Sequence, residues 1–272
     1  MKKFTFRRLL NHFLNRIGRR QFSHLSICKT VLTNFRALPF KDALKFPIFI
    51  YSDTKIYWLK EVTINGPIER GMIRIGHHRH KAIGPTRILG FGKYIFEGRA
   101  SIWGGCTLEN HGTIVFGKDF SMAESCIILC DNLIEFGPHM SIGFKNTFID
   151  SSFHFLLDTK RRMTFPISSP IRIGGGTWIT SDCKIMQGAC LPPNSTLIAN
   201  SVLKSDFSDE QEGQMYGGDP AKKLRSNIRR VFDRTEEKRL ADFFKQNPAK
   251  AFVKVKYDDE DVYCLNDPFK YE

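Results

Sequence analysis

The chain lacks any C-x-x-C pair among its 7 cysteines, and an odd number cannot all be paired within one copy. No disulfide framework is therefore expected, and a reducing compartment suits these thiols better than an oxidising one. An unbroken apolar run is also missing from the N-terminus, where Asn11, His12, Asn15 and Arg16 interrupt MKKFTFRRLLNHFLNRIGRR. That stretch is expected to be neither a signal peptide nor a membrane span, which makes the expected location cytoplasmic. Acidic residues are scarce: 28 Asp and Glu face 41 Lys and Arg, for a formal charge of +13 over 272 residues. Such a balance calls for an anionic partner (a phosphorylated cofactor, an acidic glycan, a membrane face or nucleic acid), unless it serves solubility alone. No recognisable nucleic-acid motif accompanies the charge, so nucleic acid is not expected.

What is present is a period that fits neither helix nor strand. From Ile173 an aliphatic residue returns at every sixth position, through Ile179, Ile185, Leu191, Leu197 and Leu203. Four residues after each of the first five comes a small side chain: Thr177, Cys183, Ala189, Ser195 and Ser201. A period of six suits short strands joined by tight turns and stacked into a parallel β-solenoid, with the aliphatic residue pointing inward each time. Upstream the period recurs as Phe96, Ile102, Leu108, Ile114; then Phe116, Met122, Ile128, Ile134; then Phe136, Ile142, Phe148. Each run slips by two residues at a recurring element, TIVFG at 113–117, LIEFG at 133–137 and IRIG at 171–174, and IRIG at 73–76 reads as an earlier copy. Three strands per coil of 18 to 20 residues make a three-sided prism. Its coils lie about 4.8 Å apart. Cys106 and Cys126 occupy equivalent positions and read as small core fillers. Glycine and asparagine suit the turns that need positive φ.

One interval is too long. The step from Phe136 to Ile173 exceeds a coil by 17 residues, and the excess falls near FIDSSFHFLLDTKRRMTFPISSP, residues 148–170. A loop that the core does not require is a functional suspect. The ends depart from the period too. Residues 1–70, basic and partly helical, read as an N-terminal cap, which a solenoid needs to cover its open edge. Residues 226–272 read as a helix and tail, with helical spacing over 225–246 at Ile228, Val231, Phe232, Leu240, Phe243 and Phe244. The basic N-terminus either touches anionic lipid, peripheral to the inner membrane face, or packs on the prism.

The run Ile173–Val202, followed by MYGGDPAKKLR at 215–225, resembles the hexapeptide-repeat acyltransferases, proteins with a left-handed parallel β-helix. The likeness is closest to their sugar and polysaccharide acetyltransferases and covers about residues 71–225. It implies a mainly β fold and a homotrimer in which acetyl-CoA lies between neighbouring prisms. It further implies direct transfer to a hydroxyl or amino group of a sugar or glycan acceptor in surface polysaccharide biosynthesis. His154, in FIDSSFH, matches the family's general base. An imidazole titrating near about 6.5 can take the proton of an attacking hydroxyl. Asp150, four residues earlier, is a candidate to hold that ring, a role a backbone carbonyl would also fill. The resemblance places the pantetheine arm along Trp178 to Ser201, with Gly188, Ala189 and Ser201 at close-approach positions. It brings Lys222 and Lys223, in GGDPAKK, to the phosphates or the adenine end. The segment SDFSDEQEGQMYGGDP departs from the family pattern by being longer and more acidic.

Three rival readings stand beside this one. An acyl-carrier protein, itself acidic, is an alternative donor suited to the charge. A zinc-dependent hydratase of the γ-carbonic-anhydrase kind shares the fold, but HHRH at 77–80 is a run of neighbours in one coil, and no metal is expected. A scaffold without activity has no use for a histidine projected on a loop. Trp103 and Trp178, at solenoid corners, are packing residues first and stacking surfaces for a sugar second.

Overall fold

The computed structural model describes residues 24–78 and 84–255. The basic segment 1–20, His80 and most of the acidic tail lie outside the described residues. The chain winds as a three-sided parallel β-helix: three sheets of nine, seven and six strands run along the prism, each built from one strand per coil except where a terminal hairpin adds a ninth strand to the first. The vertical registers are the six-residue period seen end-on. One column inside the first sheet runs Ile50, Ile75, Ile102, Met122, Ile142, Ile179, Leu197, Tyr216. The second sheet stacks Ile88, Leu108, Ile128, Phe148, Ile185 and Leu203. The third stacks Phe96, Phe116, Phe136, Ile173 and Leu191. These side chains are buried and form one continuous core. The rings of Phe96, Phe116 and Phe136 stack at centroid distances of 4.9 and 5.9 Å, so the largest side chains sit directly above one another. Burying each contributes about 1.5–3 kcal/mol.

Three expectations shift. The first coil is already complete in Ile48–Ile50, Thr54–Ile56 and Val62–Ile64, so the solenoid begins well before residue 71 and the cap is shorter than 1–70. Its inward residues Ile50, Ile56 and Ile64 keep the spacings of six and eight seen later, but intervals of 11 and 13 residues to Ile75 and Ile88 hide the continuity. IRIG at 73–76 is no copy of TIVFG: it lies on the first sheet against Ile48–Ile50, whereas Thr113–Phe116 and Leu133–Phe136 belong to the third. The same four-residue pattern serves either face, because both need alternate residues inward. Finally, the helix expected over 225–246 is confined to Arg234–Gln246. Asp233 caps it by accepting from the Thr235 N–H at 2.8 Å, and Asn227 turns through φ 57, so 227–233 runs as an extended strap.

Both ends of the prism are closed. Helix Ile27–Ala37, capped by Ser26, lies over the free edge of Ile48–Ile50. At the far end Gln214–Gly218 and Ala221–Ser226 form an antiparallel hairpin that extends the first sheet, and Tyr216 fills the last core layer beside Phe207.

Candidate functional site

The three corners of the prism are built by two different devices, and the site follows from that. Between the first and second sheets the chain turns through left-handed residues in vertical register: Gly105, Ser125, Lys145, Asp182 and Asn200. The next residue of each turn points inward (Cys106, Cys126, Asn146, Cys183, Ser201), and all five are buried. Each reaches a carbonyl of its own or the next coil: Cys126 Sγ to Gly143 O at 3.1 Å, Asn146 Nδ2 to Thr180 O at 2.7 Å, Cys183 Sγ to Ile198 O at 3.2 Å. Between the third and first sheets Asp119, His139, Gly176 and Asn194 make the same left-handed turn.

The corner between the second and third sheets is different in coils three to five. Asn110, Cys130 and Asp150 stand above one another there, and side chains rather than a left-handed backbone hold the turn. Asn110 donates to Lys93 O at 2.9 Å and accepts from the Gly112 N–H at 3.1 Å. The carboxylate of Asp150, wholly buried, accepts from the N–H groups of Asp131 and Asn132 at 2.8 and 2.9 Å and from Cys130 Sγ at 3.4 Å. Burial and that carboxylate push the Cys130 thiol well above its usual range, so it is an inert corner group. Asp150 is thus occupied by the coil beneath it and does not hold His154. The pairing expected from four-residue spacing is absent because the side chain points into the prism while the chain leaves it.

The insertion departs at this corner. Its root is zipped by an antiparallel bridge of Ser151 to Ser168, by Ser152 N–H to Ile167 O at 2.8 Å and by Ser169 N–H to Asp150 O at 3.0 Å. Beyond the root it forms a hairpin of Leu157–Asp158 with Met163–Thr164, whose tip is fixed by Asp158 accepting from the N–H groups of Lys160 and Arg161. His154 lies between root and hairpin. It follows Phe153, a bulky residue at φ 62, a conformation that costs energy and recurs at functional positions. The His154 ring is exposed and has no hydrogen-bond or ionic partner among the described residues, while the Ser152 hydroxyl donates to its backbone carbonyl at 3.1 Å. The same loop exposes the apolar side chains of Phe155, Leu156 and Phe165.

The remaining expected residues divide into those that face outward and those that do not. Gly188, at φ 75, sits beside the insertion root, its N–H 3.3 Å from Ser169 O. Ala189 and Ser201 are buried corner residues. The Ser201 hydroxyl donates to Ile198 O at 2.7 Å and accepts from the Gly218 N–H at 3.1 Å, so it ties the last coil to the terminal hairpin and is closed to a ligand. The small fifth-position side chain is a packing signal, not a contact signal. Trp178 faces outward from the first sheet, above Ser141. Over it lies a residue the sequence did not mark: the Arg230 guanidinium is 5.1 Å from the Trp178 and Phe232 rings, donates to Ser141 Oγ at 2.6 Å and meets Glu237 at 3.6 Å. Burial lowers its pKa, with Glu237 opposing. Lys222 is exposed and unpaired among the described residues, whereas Lys223 is engaged by Glu210 in the acidic segment before the hairpin. Trp178, Lys222 and Lys223 therefore belong to the first sheet, and Gly188 and the His154 insertion to the opposite corner. Within one prism the two groups lie on opposite sides.

His77 and His78 are buried. The His77 ring lies 4.7 Å from Trp103, which is a packing residue here, and His78 Nε2 lies 2.8 Å from Asp53 Oδ2. His111 and His139 stand at two other corners. No group of three His, Cys, Asp or Glu side chains placed to hold a metal occurs among the described residues. No described helix is long and apolar enough to cross a membrane.

No family model matches the sequence, and no curated protein does. Solved structures do resemble it. The polySia-specific acetyltransferase NeuO is similar over 77% of this chain and 91% of its own, with 12% identity and a TM-score of 0.43. A hexapeptide-repeat acetyltransferase of Vibrio cholerae O1 biovar eltor, complexed with acetyl coenzyme A, covers 73% of this chain and 83% of its own at 22% identity and a TM-score of 0.32. A galactoside acetyltransferase in complex with coenzyme A covers 85% and 86% at 14% identity and a TM-score of 0.36.

Proposed function

We propose that this chain is an acetyl-CoA-dependent acetyltransferase that modifies a hydroxyl or amino group of a sugar in surface polysaccharide biosynthesis, in the cytoplasm and as a homotrimer, with His154 as general base. The observation that carries the reading is the insertion itself. An otherwise regular prism opens at its one side-chain-built corner, and the loop that emerges presents an exposed, unpartnered imidazole beside a strained Phe153. A base needs a free ring nitrogen and access to the acceptor, and an exposed, unpartnered ring supports that role.

In this reading His154 takes the proton of the acceptor hydroxyl as its oxygen bonds to the thioester carbonyl carbon. The charge that develops on the carbonyl oxygen is met by backbone N–H groups at the turns. As the C–S bond breaks, the imidazolium returns its proton to the departing thiolate, so no covalent enzyme intermediate is needed. The geometry of the prism supports an assembly of copies: Trp178 and Lys222 lie on the first sheet and Gly188 and His154 at the opposite corner, so a donor touching both groups would lie between two copies. Lys222, exposed and unpaired, is the cation suited to a phosphate there, while Lys223 is held by Glu210.

The test is calorimetric titration with acetyl-CoA, followed by mass-spectrometric detection of acetyl transfer to a panel of sugars and oligosaccharides. His154→Ala is expected to keep donor binding and lose about a hundredfold to ten-thousandfold in turnover. Donor binding with no effect of His154→Ala would remove the base from this loop. No donor binding at all would remove the reading.

A further inference from the structure

Helix Ile27–Ala37 is turned inside out. A surface helix of a globular protein ordinarily buries its apolar stripe and shows water its polar one. Here the buried residues are Thr30, Thr33, Asn34 and Ala37. Asn34 pairs with Ile48 as a strand would, donating to its carbonyl at 2.7 Å and accepting from its N–H at 3.1 Å, and Thr30 Oγ1 accepts from the Ile50 N–H at 3.0 Å. The free edge of the first strand needs backbone partners, and only polar side chains supply them. The helix's apolar side chains are consequently left outside: Ile27 is 73% exposed and Leu32 60%, with Val31 and Phe35 between them, and the following turn adds Phe40 at 69% and Leu44 at 53%. A contiguous apolar surface on this scale marks an interaction site.

The charge around that surface identifies its partner. Arg36, Lys41 and Lys45 are exposed at its margin, and Asp42 is the one acid between Ile27 and Lys45. Along the sequence, residues 1–45 hold 11 Lys and Arg and that one acid, so they carry +10 of the formal +13. Apolar side chains ringed by cations match an anionic lipid surface, where the first enter the acyl boundary and the second meet the headgroups. We propose that the outer face of the cap, from Ile27 to Lys45, docks the protein on an anionic bilayer. This inference stands apart from the acetyltransferase reading, since it uses the opposite end of the prism from the hairpin and no residue of the His154 loop.

Flotation of the full-length protein with phosphatidylglycerol-rich vesicles, against vesicles of phosphatidylcholine alone, tests it. The protein is expected to float with the former and to be released by salt. Leu32→Ser with Phe40→Ser, which leaves every charge in place, is expected to lower vesicle affinity roughly tenfold or more, because the apolar contribution scales with buried area. Lys41→Glu with Lys45→Glu is expected to cost roughly fivefold per cation. Both pairs sit on the exposed face and should melt like the wild type, which separates lost docking from lost folding. Equal flotation with both vesicle types, absence of flotation, or an apolar variant that floats like the wild type would overturn the proposal. So would an apolar variant that changes the sedimentation mass of a protein that ignores vesicles, which would make this face an interface between copies.

Discussion

Two corners of the same prism solve the same turn in different ways. At the corner between the first and second sheets the backbone does it, with a left-handed residue at each of Gly105, Ser125, Lys145, Asp182 and Asn200 and a small inward neighbour after it. At the corner between the second and third, in coils three to five, the side chains of Asn110, Cys130 and Asp150 do it by bonding the adjacent turns. The first device fixes the length of the turn, because φ, ψ and the inward step are all committed. The second fixes only the point at which the chain reaches the corner. Asp150 secures Asp131 and Asn132 from the coil beneath whatever follows it, so the chain is free to leave for the whole of 151–168 and return at Ser169. A loop was added where the fold could open without losing its register.

This contrast can be broken directly. The largest effect is expected for Asp150→Ala, which removes the acceptor from two part-buried N–H groups and should destabilise by about 2–4 kcal/mol, read from the denaturation midpoint. Asp150→Asn keeps one acceptor oxygen and should lose about half as much. If Asp150 served His154 instead, the Asn variant would alter the pH profile of transfer while sparing stability, and the opposite pattern is expected. Smaller and opposite in sign, Lys145→Gly should stabilise by about 0.5–1 kcal/mol, since Lys145 holds φ 59 at a cost glycine does not bear. A loss of stability there would show that the side chain, not the backbone, sets that corner.

The smallest effect concerns His139, at a left-handed corner. Burial lowers its pKa below the ordinary value, with Asp119, 3.3 Å away, opposing. The unfolded chain therefore takes up this proton at a higher pH than the folded one. The contribution of a neutral His139 is present above about pH 6.5 and is lost as pH falls from there through the folded pKa. Stability measured against pH should fall less steeply below that point in His139→Asn, which keeps a residue tolerant of the left-handed turn. Identical slopes would remove His139 from the acid response.

Much of this was legible in the residues because a solenoid makes its tertiary contacts at fixed sequence intervals. Phe96, Phe116 and Phe136 touch because coils repeat, so a period in the sequence is a column in the core. The first coil was missed because the repeat is interrupted after it: Ile50, Ile56 and Ile64 keep the later spacings of six and eight, but the next inward residues, Ile75 and Ile88, follow at intervals of 11 and 13, and only pairing with the second coil reveals them. Asp150 was misassigned because proximity along the chain says nothing about direction at a corner, where one side chain points inward and the next residue starts a loop. Arg230 carried no mark at all, since its partners Ser141 and Trp178 are distant in sequence and met only through the strap.

The sequence by itself determined the prism, its three sheets, the inward columns and the place where a loop is spliced in, for all of these follow from periodicity and its interruption after Phe148. Only the tertiary structure decided which sides of the prism the candidate residues occupy, that Ser201 and Ala189 are closed inside it, and that the cap helix turns its polar face inward. Those outcomes depend on unpaired backbone groups at edges and corners, whose needs arise once the chain is wound and leave no pattern in the order of residues.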